Sequence, residues 1–179
     1  MSIITKRGDD GSTDLMFGKR ISKTSTRIAT LGAIDELNAS LGLARAADSA
    51  GHHTETIDKV QNLLFGLMGE LACEPGDEAH YHEKGYAALK QADLDWLTEV
   101  ALAAEARGVR FTHWAVPGAE CSMARAHLDF ARTVSRRAER HLLMLHEESG
   151  TVLLVIRLFL NRLSDLLWIL ARAETLQRG

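Results

Sequence analysis

Apolar residues recur at helical spacing along five stretches of the 179-residue chain. Ile28, Leu31, Ile34, Leu37 and Leu41 predict a helix from Ser25 or Thr26, both good N-caps, to about Ala47. Ile57, Val60, Leu64, Leu67 and Leu71 predict a second over 54–73, with Glu55 in its first turn and Glu74-Pro75-Gly76-Asp77 ending it. Asp93 is the expected cap of a third, which presents Leu94, Leu97, Ala101 and Leu102 inward, runs through Arg107 and is closed by Gly108. The fourth starts at Ala119 or Ser122, packs on Ala131, Val134, Ala138, Leu142 and Leu145, and breaks at Ser149-Gly150. Thr151 is the expected cap of the fifth, which is apolar nearly all round and so is expected at the centre of the fold. The polar residues 74–90 read as a surface excursion with a helical end over 86–90.

The polar positions on these helices carry the candidate chemistry. On the fourth helix Arg132, Arg136 and Glu139 fall within about 60° of one another, with Arg140 on the flank. Guanidinium forks fit phosphate and carboxylate oxygens two at a time, so the row reads either as an anion site or as a solvated face of ion pairs. On the fifth helix Arg157, Asn161 and Asp165 repeat every four residues, with Ser164, Trp168 and Arg172 near the same line. Polar groups on a helix that wants burial need a partner helix, a second subunit or a ligand.

Residues 5–24 are rich in Gly, Ser, Thr, Asp and Lys and favour loop over regular structure. Gly8 and Gly11 bracket Asp9 and Asp10, and Lys6, Arg7, Lys19, Arg20 and Lys23 surround them with positive charge. Converging backbone N–H groups there would suit an anion, but no GK[ST] ending makes this a P-loop, and a flexible basic segment is the plain alternative. The aromatic segment Phe111-Thr112-His113-Trp114-Ala115-Val116-Pro117-Gly118 reads as a loop plug over the core or as a ligand platform.

Composition narrows the field. A hydrophobic content of 46% over this length supports one domain, 1–179, and two prolines with 6% aromatics favour helices over short strands. A net charge of −3 argues against nucleic acid and anionic membrane as partners, leaving a small molecule. Cys73 and Cys121 have no paired spacing, so neither a disulfide nor a zinc site is expected. No Glu-x-x-His occurs, which counts against a dimetal site in a helical bundle, and no protein-bound metal is expected. The apolar run from Val152 to Leu170 is interrupted by Arg157, Asn161, Arg162 and Asp165, and the start has no apolar core of signal-peptide length. A cytoplasmic protein is the expectation. After Lys90 every basic residue is Arg, eleven of them, as selection for bidentate oxyanion contacts or a GC-rich genome would each produce.

Three separated blocks converge on one family. Thr5-Lys6-Arg7-Gly8-Asp9-Asp10-Gly11-Ser12-Thr13 with Lys23, then Gly32-Ala33-Ile34-Asp35-Glu36-Leu37-Asn38, then Ala131 to Arg140 with Leu160-Asn161-Arg162-Leu163-Ser164-Asp165, resemble the signature blocks of the PduO-type ATP:cob(I)alamin adenosyltransferases. The resemblance implies an all-α, ferritin-like, five-helix up-and-down bundle over 25–177, preceded by a nucleotide-binding loop over 1–24. It also implies a homotrimer with active sites between subunits. By the same resemblance Thr5, Lys6, Arg7, Gly8, Thr13, Asp14 and Lys23 wrap the triphosphate of ATP, and Arg136, Arg137, Glu139, Arg140 and Asn161 complete the nucleotide site. Asp35 and Arg132 match a pair that bridges subunits beside the corrin, so Asp35, Arg132, Arg136 and Asn161 are the expected catalytic set. The substrates implied are ATP with Mg²⁺ and cob(I)alamin, with a reductase or a cobalamin-dependent enzyme as a further partner. A bundle that binds or delivers adenosylcobalamin without making it is the alternative. The chain departs from the family at Trp114-Ala115-Val116-Pro117-Gly118-Ala119, where Phe-Ile-Leu-Pro-Gly-Gly is common. Trp114 is the expected apolar wall beneath cobalt.

Overall fold

A computed structural model describes residues 4–119 and 121–173. Within them β1 (Ser12–Asp14) and β2 (Arg20–Ser22) precede six helices: α1 (Thr26–Ala47), α2 (Thr54–Leu71), α3 (Glu78–Glu83), α4 (Gln91–Glu105), α5 (Met123–Ser149) and α6 (Leu154–Ala173). The protein is mostly helical with one small sheet.

Side-chain ties fix the directions of the long helices. Thr26 donates to Glu148 at 2.8 Å and Thr30 to the His141 carbonyl at 3.1 Å, so α1 and α5 run antiparallel. Asn161 bonds Glu139 and Arg172 bonds Asp129, which sets α6 antiparallel to α5. Arg27 reaches the Leu71 carbonyl while Arg45 pairs with Asp58, so α2 descends beside α1. The Lys59 ammonium lies 3.9 Å over the Trp96 ring and joins α2 to α4. The enclosed core contains Ile34, Leu37 and Leu41 of α1, Leu64 and Leu67 of α2, Leu97 of α4, Leu142 of α5 and Phe159, Leu160 and Leu163 of α6, all fully buried. Among the described residues no helix is long and apolar enough to cross a membrane.

Several boundaries follow their expected chemistry. The Ser25 hydroxyl accepts the Ile28 N–H, the Ser122 hydroxyl accepts that of Arg125, and Gly150 in the left-handed region ends α5. Others differ. Residues 5–24 are not all loop, since Ser12, Thr13 and Asp14 pair with Ser22, Ile21 and Arg20 in an antiparallel hairpin. Three-residue strands are too short to show alternation. The helical turn in the excursion lies at Glu78–Glu83, not over 86–90, and α4 starts at Gln91 because Asp93 acts from its third position, accepting the Lys90 N–H at 2.9 Å. Thr151 does not cap α6 directly; its hydroxyl meets that of Ser149 at 2.9 Å and α6 begins at Leu154. Nor is α6 buried all round: Asn161 and Asp165 are exposed, with Leu154 and Leu158 beside them. The last expected bundle positions, 174–177, lie outside the described residues.

The excursion is pinned rather than loose. Tyr81 is buried, donates to the Ala87 carbonyl at 2.7 Å, and leaves room at Gly69 for no Cβ. Glu70 accepts the Leu89 N–H at 2.8 Å, and burial pushes its carboxyl above the usual range. Arg27, itself buried, donates to the Leu71 and Cys73 carbonyls at 2.6 and 2.7 Å and so places a cation on the last turn of α2. Arg27→Ala leaves both acceptors buried without that donor and is expected to cost about 2–3 kcal/mol. A urea midpoint that falls with an unchanged m-value is the readout.

Candidate functional site

Three groups of side chains bear on the candidate chemistry. The first is the N-terminal hairpin. Asp14 and Arg20 face each other across the two strands and bond at 3.1 Å, and Arg7 reaches the same carboxylate at 3.1 Å. Arg20 also donates to the Arg7 carbonyl at 2.9 Å, to Asp10 at 3.1 Å and to the Ser12 hydroxyl. Hydrogen bonds from Ser12, with the Arg20 charge behind them, hold the Asp10 carboxyl below its usual pKa of 3.8. Lys23 donates to the Gly8 carbonyl at 2.7 Å, and a Cβ at Gly8 would lie 2.7 Å from that ammonium. The loop is thus folded over by its own cations, and a side chain at Gly8 would require the flexible end of Lys23 to move aside.

Within the hairpin the expected residues divide. Lys6, with φ of 59°, is exposed and its ammonium has no partner among the described residues, whereas Arg7, Asp14 and Lys23 are engaged in holding the loop. Thr5 accepts the Arg7 N–H at 3.5 Å and Thr13 is half-buried in β1. Lys19 points away, to Glu74 at 3.3 Å and Asp77 at 3.2 Å, which raises its pKa. Arg20, the organiser of the hairpin, stood in the sequence only as one basic residue among five. Its cross-strand position becomes visible once the register is known.

The second group is the outer face of α5. Its apolar side buries Ala131, Val134, Ala138, Leu142 and Leu145, which turns the arginines outward. Arg137 pairs with Glu36 of α1, and Glu139 accepts from Asn161 of α6 at 3.0 Å. Arg136 and Arg140 are exposed and have no ion-pair partner among the described residues. The face therefore carries two uncommitted guanidinium groups beside a carboxylate–amide pair. That arrangement suits an anion with adjoining hydrogen-bonding groups. Arg132 bonds Asp129 through Nε at 3.2 Å and does not touch Asp35, which is exposed on α1.

The third group is the aromatic segment after α4. Trp114 is 87% exposed and Phe111 63%, so this is no plug over the core. Trp114 meets Phe111 edge-on at 5.9 Å, Phe111 tilts against Trp168 at 5.9 Å, and Arg172 lies 4.3 Å over the Trp168 ring. Beside them a cavity of about 290 Å³ opens between α4 and α6, lined by Leu102, Phe111, Arg162, Asp165 and Trp168 among others. Asp129, which ties Arg132 to Arg172, lies one turn before Arg132 on the same row, and its role is not visible in sequence because Arg172 arrives from another helix.

The α5 face and the aromatic group are joined through Asp129. No hydrogen bond or ion pair among the described residues links the hairpin 5–23 to the α5 row. Nor do three His, Cys, Asp or Glu side chains converge as a metal site among the described residues.

Comparison with known proteins adds an independent line. The family described as cobalamin adenosyltransferase matches residues 3–174. The corrinoid adenosyltransferase PduO of Citrobacter freundii is 38% identical over 177 residues, covering 97% of this chain and 50% of the relative. The chain thus spans about half the length of that relative. A cobalamin adenosyltransferase of Cupriavidus metallidurans is 36% identical over 95% of this chain and 86% of its own. Among solved structures, a variant PduO-type ATP:corrinoid adenosyltransferase from Lactobacillus reuteri, complexed with cobalamin and ATP, superposes with a TM-score of 0.87 at 28% identity, covering 99% of this chain and 93% of that one.

The hairpin network has a measurable pH signature. A carboxyl whose folded pKa is depressed contributes order that is present above its unfolded value and lost as pH falls through the folded one. Amide-exchange protection at Gly11 and Lys23, whose N–H groups bond within the loop, is expected to persist above pH 3.8 and to fade below it as Asp10 protonates. In Arg20→Ala the same protection is expected to be weak at every pH.

Proposed function

We propose that this chain, which belongs to the cobalamin adenosyltransferase family, transfers the 5′-deoxyadenosyl group of ATP to cob(I)alamin and releases triphosphate. The observation that carries the reading is the α5 face, where Arg136 and Arg140 are turned outward without counter-ions among the described residues, next to the Glu139–Asn161 pair. Uncommitted guanidinium groups preorganised before the reaction stabilise the charge that develops on a leaving triphosphate.

In the proposed reaction the Co(I) electron pair attacks C5′, the Co–C bond forms, the C5′–O bond breaks, and the triphosphate departs with that bonding pair. No side-chain nucleophile takes part. The residues bind and orient: Arg136, Arg137, Arg140 and Asn161 with Glu139 hold the nucleotide, while Thr5, Lys6, Arg7, Gly8, Thr13, Asp14 and Lys23 close over its phosphates. Lys6 is the loop cation free to do so directly; Arg7, Asp14 and Lys23 act by shaping the loop. Mg²⁺ would travel on the phosphates rather than on a protein ligand set. Trp114 and Phe111 offer the apolar surface that keeps water and a lower ligand from cobalt.

Assembly belongs to the same proposal. Five long helices form the bundle, and three copies associate so that the hairpin of one and the α5 face of another meet across an interface. What supports this is that within one chain the hairpin makes no bond to the α5 row, and that Asp35 and Arg132 stand exposed and half-exposed without touching. A cytoplasmic setting with a reductant that delivers Co(I) completes the reading.

Arg136→Ala and Asn161→Ala are each expected to lower adenosyl transfer by about 10²–10³-fold while leaving helical content and oligomeric state intact. The assay adds ATP, Mg²⁺ and chemically reduced cob(I)alamin and follows the absorbance of the new Co–C bond. Wild-type rates in both variants overturn the assignment.

A further inference from the structure

We infer that Asp129 is a positioning residue that sets the corrinoid side of the site, by holding Arg132 and the aromatic cluster in one network. The inference rests on the adenosyl-transfer reading above and deepens it.

Asp129 sits on α5 two turns before Arg136 and on the same side of the helix, yet only 9% of its side chain is exposed because Arg172 of α6 covers it. A carboxylate so enclosed needs compensation, and it has two cations. Arg132, one turn along α5, donates from Nε at 3.2 Å. Arg172, arriving from α6, donates from both terminal nitrogens at 3.2 Å to Oδ1 and at 3.3 Å to Oδ2. The two arginines are used differently. Arg172 commits its terminal fork to the carboxylate and is fixed in plane. Arg132 is caught by Nε alone, and its terminal nitrogens have no partner among the described residues. The carboxylate therefore fixes the root of the Arg132 guanidinium and leaves its fork, 24% of the side chain being exposed, without an acceptor among the described residues.

The second arm reaches the aromatics. Arg172 also donates to the Trp168 carbonyl at 2.8 Å and lies 4.3 Å over that ring. Trp168 in turn supports Phe111, and Phe111 supports Trp114. Arg172 is 14% exposed, so the cation over the ring is largely shielded from water, where such stacking is strongest. A single carboxylate thus orients both an outward-pointing guanidinium and the stack that carries the most exposed tryptophan.

Asp129→Asn keeps the size of the side chain and removes the charge, so Arg132 and Arg172 face each other uncompensated. Equilibrium binding of cob(II)alamin in the presence of ATP, followed by corrin absorbance, is expected to weaken by about tenfold or more, with the KM for ATP changed less than about twofold. Tryptophan emission should shift in the same variant. Arg172→Gln spares the Asp129–Arg132 bond and is expected to shift the emission and weaken corrinoid binding to a smaller degree. Asp129 acting only as a fold tie predicts instead that ATP and corrinoid constants move together, or that neither moves in the folded variant, and either result overturns the inference. Should Asp129→Asn unfold at assay temperature, Arg172→Gln decides by the same split. Wild-type protein run in parallel separates the two levels. Corrinoid binding without Co–C formation sinks the enzymatic reading alone; normal turnover with unchanged binding in both variants sinks the role of Asp129 alone.

Discussion

The burial of one narrow stripe of α5 between α1 and α6 is the constraint on which the rest depends. Ala131, Val134, Ala138 and Leu142 are at most 1% exposed, so the rotation of the helix about its axis has no freedom. Ser135, fully buried in the same stripe, donates to the Leu160 carbonyl at 3.4 Å and adds a polar tie to α6. At about 100° per residue, burying these positions turns Arg136 and Arg140 to the outside. The guanidinium face is thus placed by packing, and a change that rotates α5 would disperse it without touching any arginine.

Along that helix, charge is partitioned rather than pooled. Arg132 is tied to Asp129 and Arg137 to Glu36, while Glu139 is tied to Asn161. Exposed pairs such as Arg137–Glu36 contribute about 0–1 kcal/mol each, too little to explain the fold. Their effect is geometric. Each fixes one side chain and lowers the number of cations free to repel one another, so the two left over, Arg136 and Arg140, stand at defined positions with carboxylate and amide groups between them. The hairpin follows the same rule: Arg20 is consumed in holding Asp10, Asp14 and the Arg7 carbonyl, and Lys6 is left free.

How much of this was legible in the sequence differs by element. The long helices were, because apolar residues at a 3.6-residue period report the buried face directly, as Ile34, Leu37 and Leu41 do in α1. The hairpin was not, since Ser12–Asp14 and Arg20–Ser22 are held by cross-strand ion pairs that carry no periodic signal. The all-round burial of α6 was overread because apolar content counts Leu154 and Leu158, which are 60% and 42% exposed. A row of arginines could be seen, but guanidinium groups that bind a ligand and those that bind a neighbouring carboxylate look alike in sequence. Only the positions of Glu36 and Asp129 show that Arg137 and Arg132 already carry an ion pair within the chain while Arg136 and Arg140 carry none among the described residues. The roles of Asp35 and the hairpin came from family resemblance, not from periodicity.

The aromatic end of the molecule leaves a large apolar surface in water. Trp114, Val116, Phe111 and Leu102 are between 59% and 87% exposed and follow one another around the end of α4. Each large apolar side chain left in water forgoes about 1.5–3 kcal/mol of burial. Nothing in the fold requires that exposure: the core closes beneath it on Leu97 and Leu163, both fully buried. The surface is stacked through Trp168 and Arg172, and an exposed apolar patch of this size marks a surface suited to a ligand or partner with an apolar face. A flat, largely apolar macrocycle meets that description. Its arrival would desolvate the aromatic wall and the Arg132 fork in one step, so binding energy at the corrin would exclude water from the reacting cobalt.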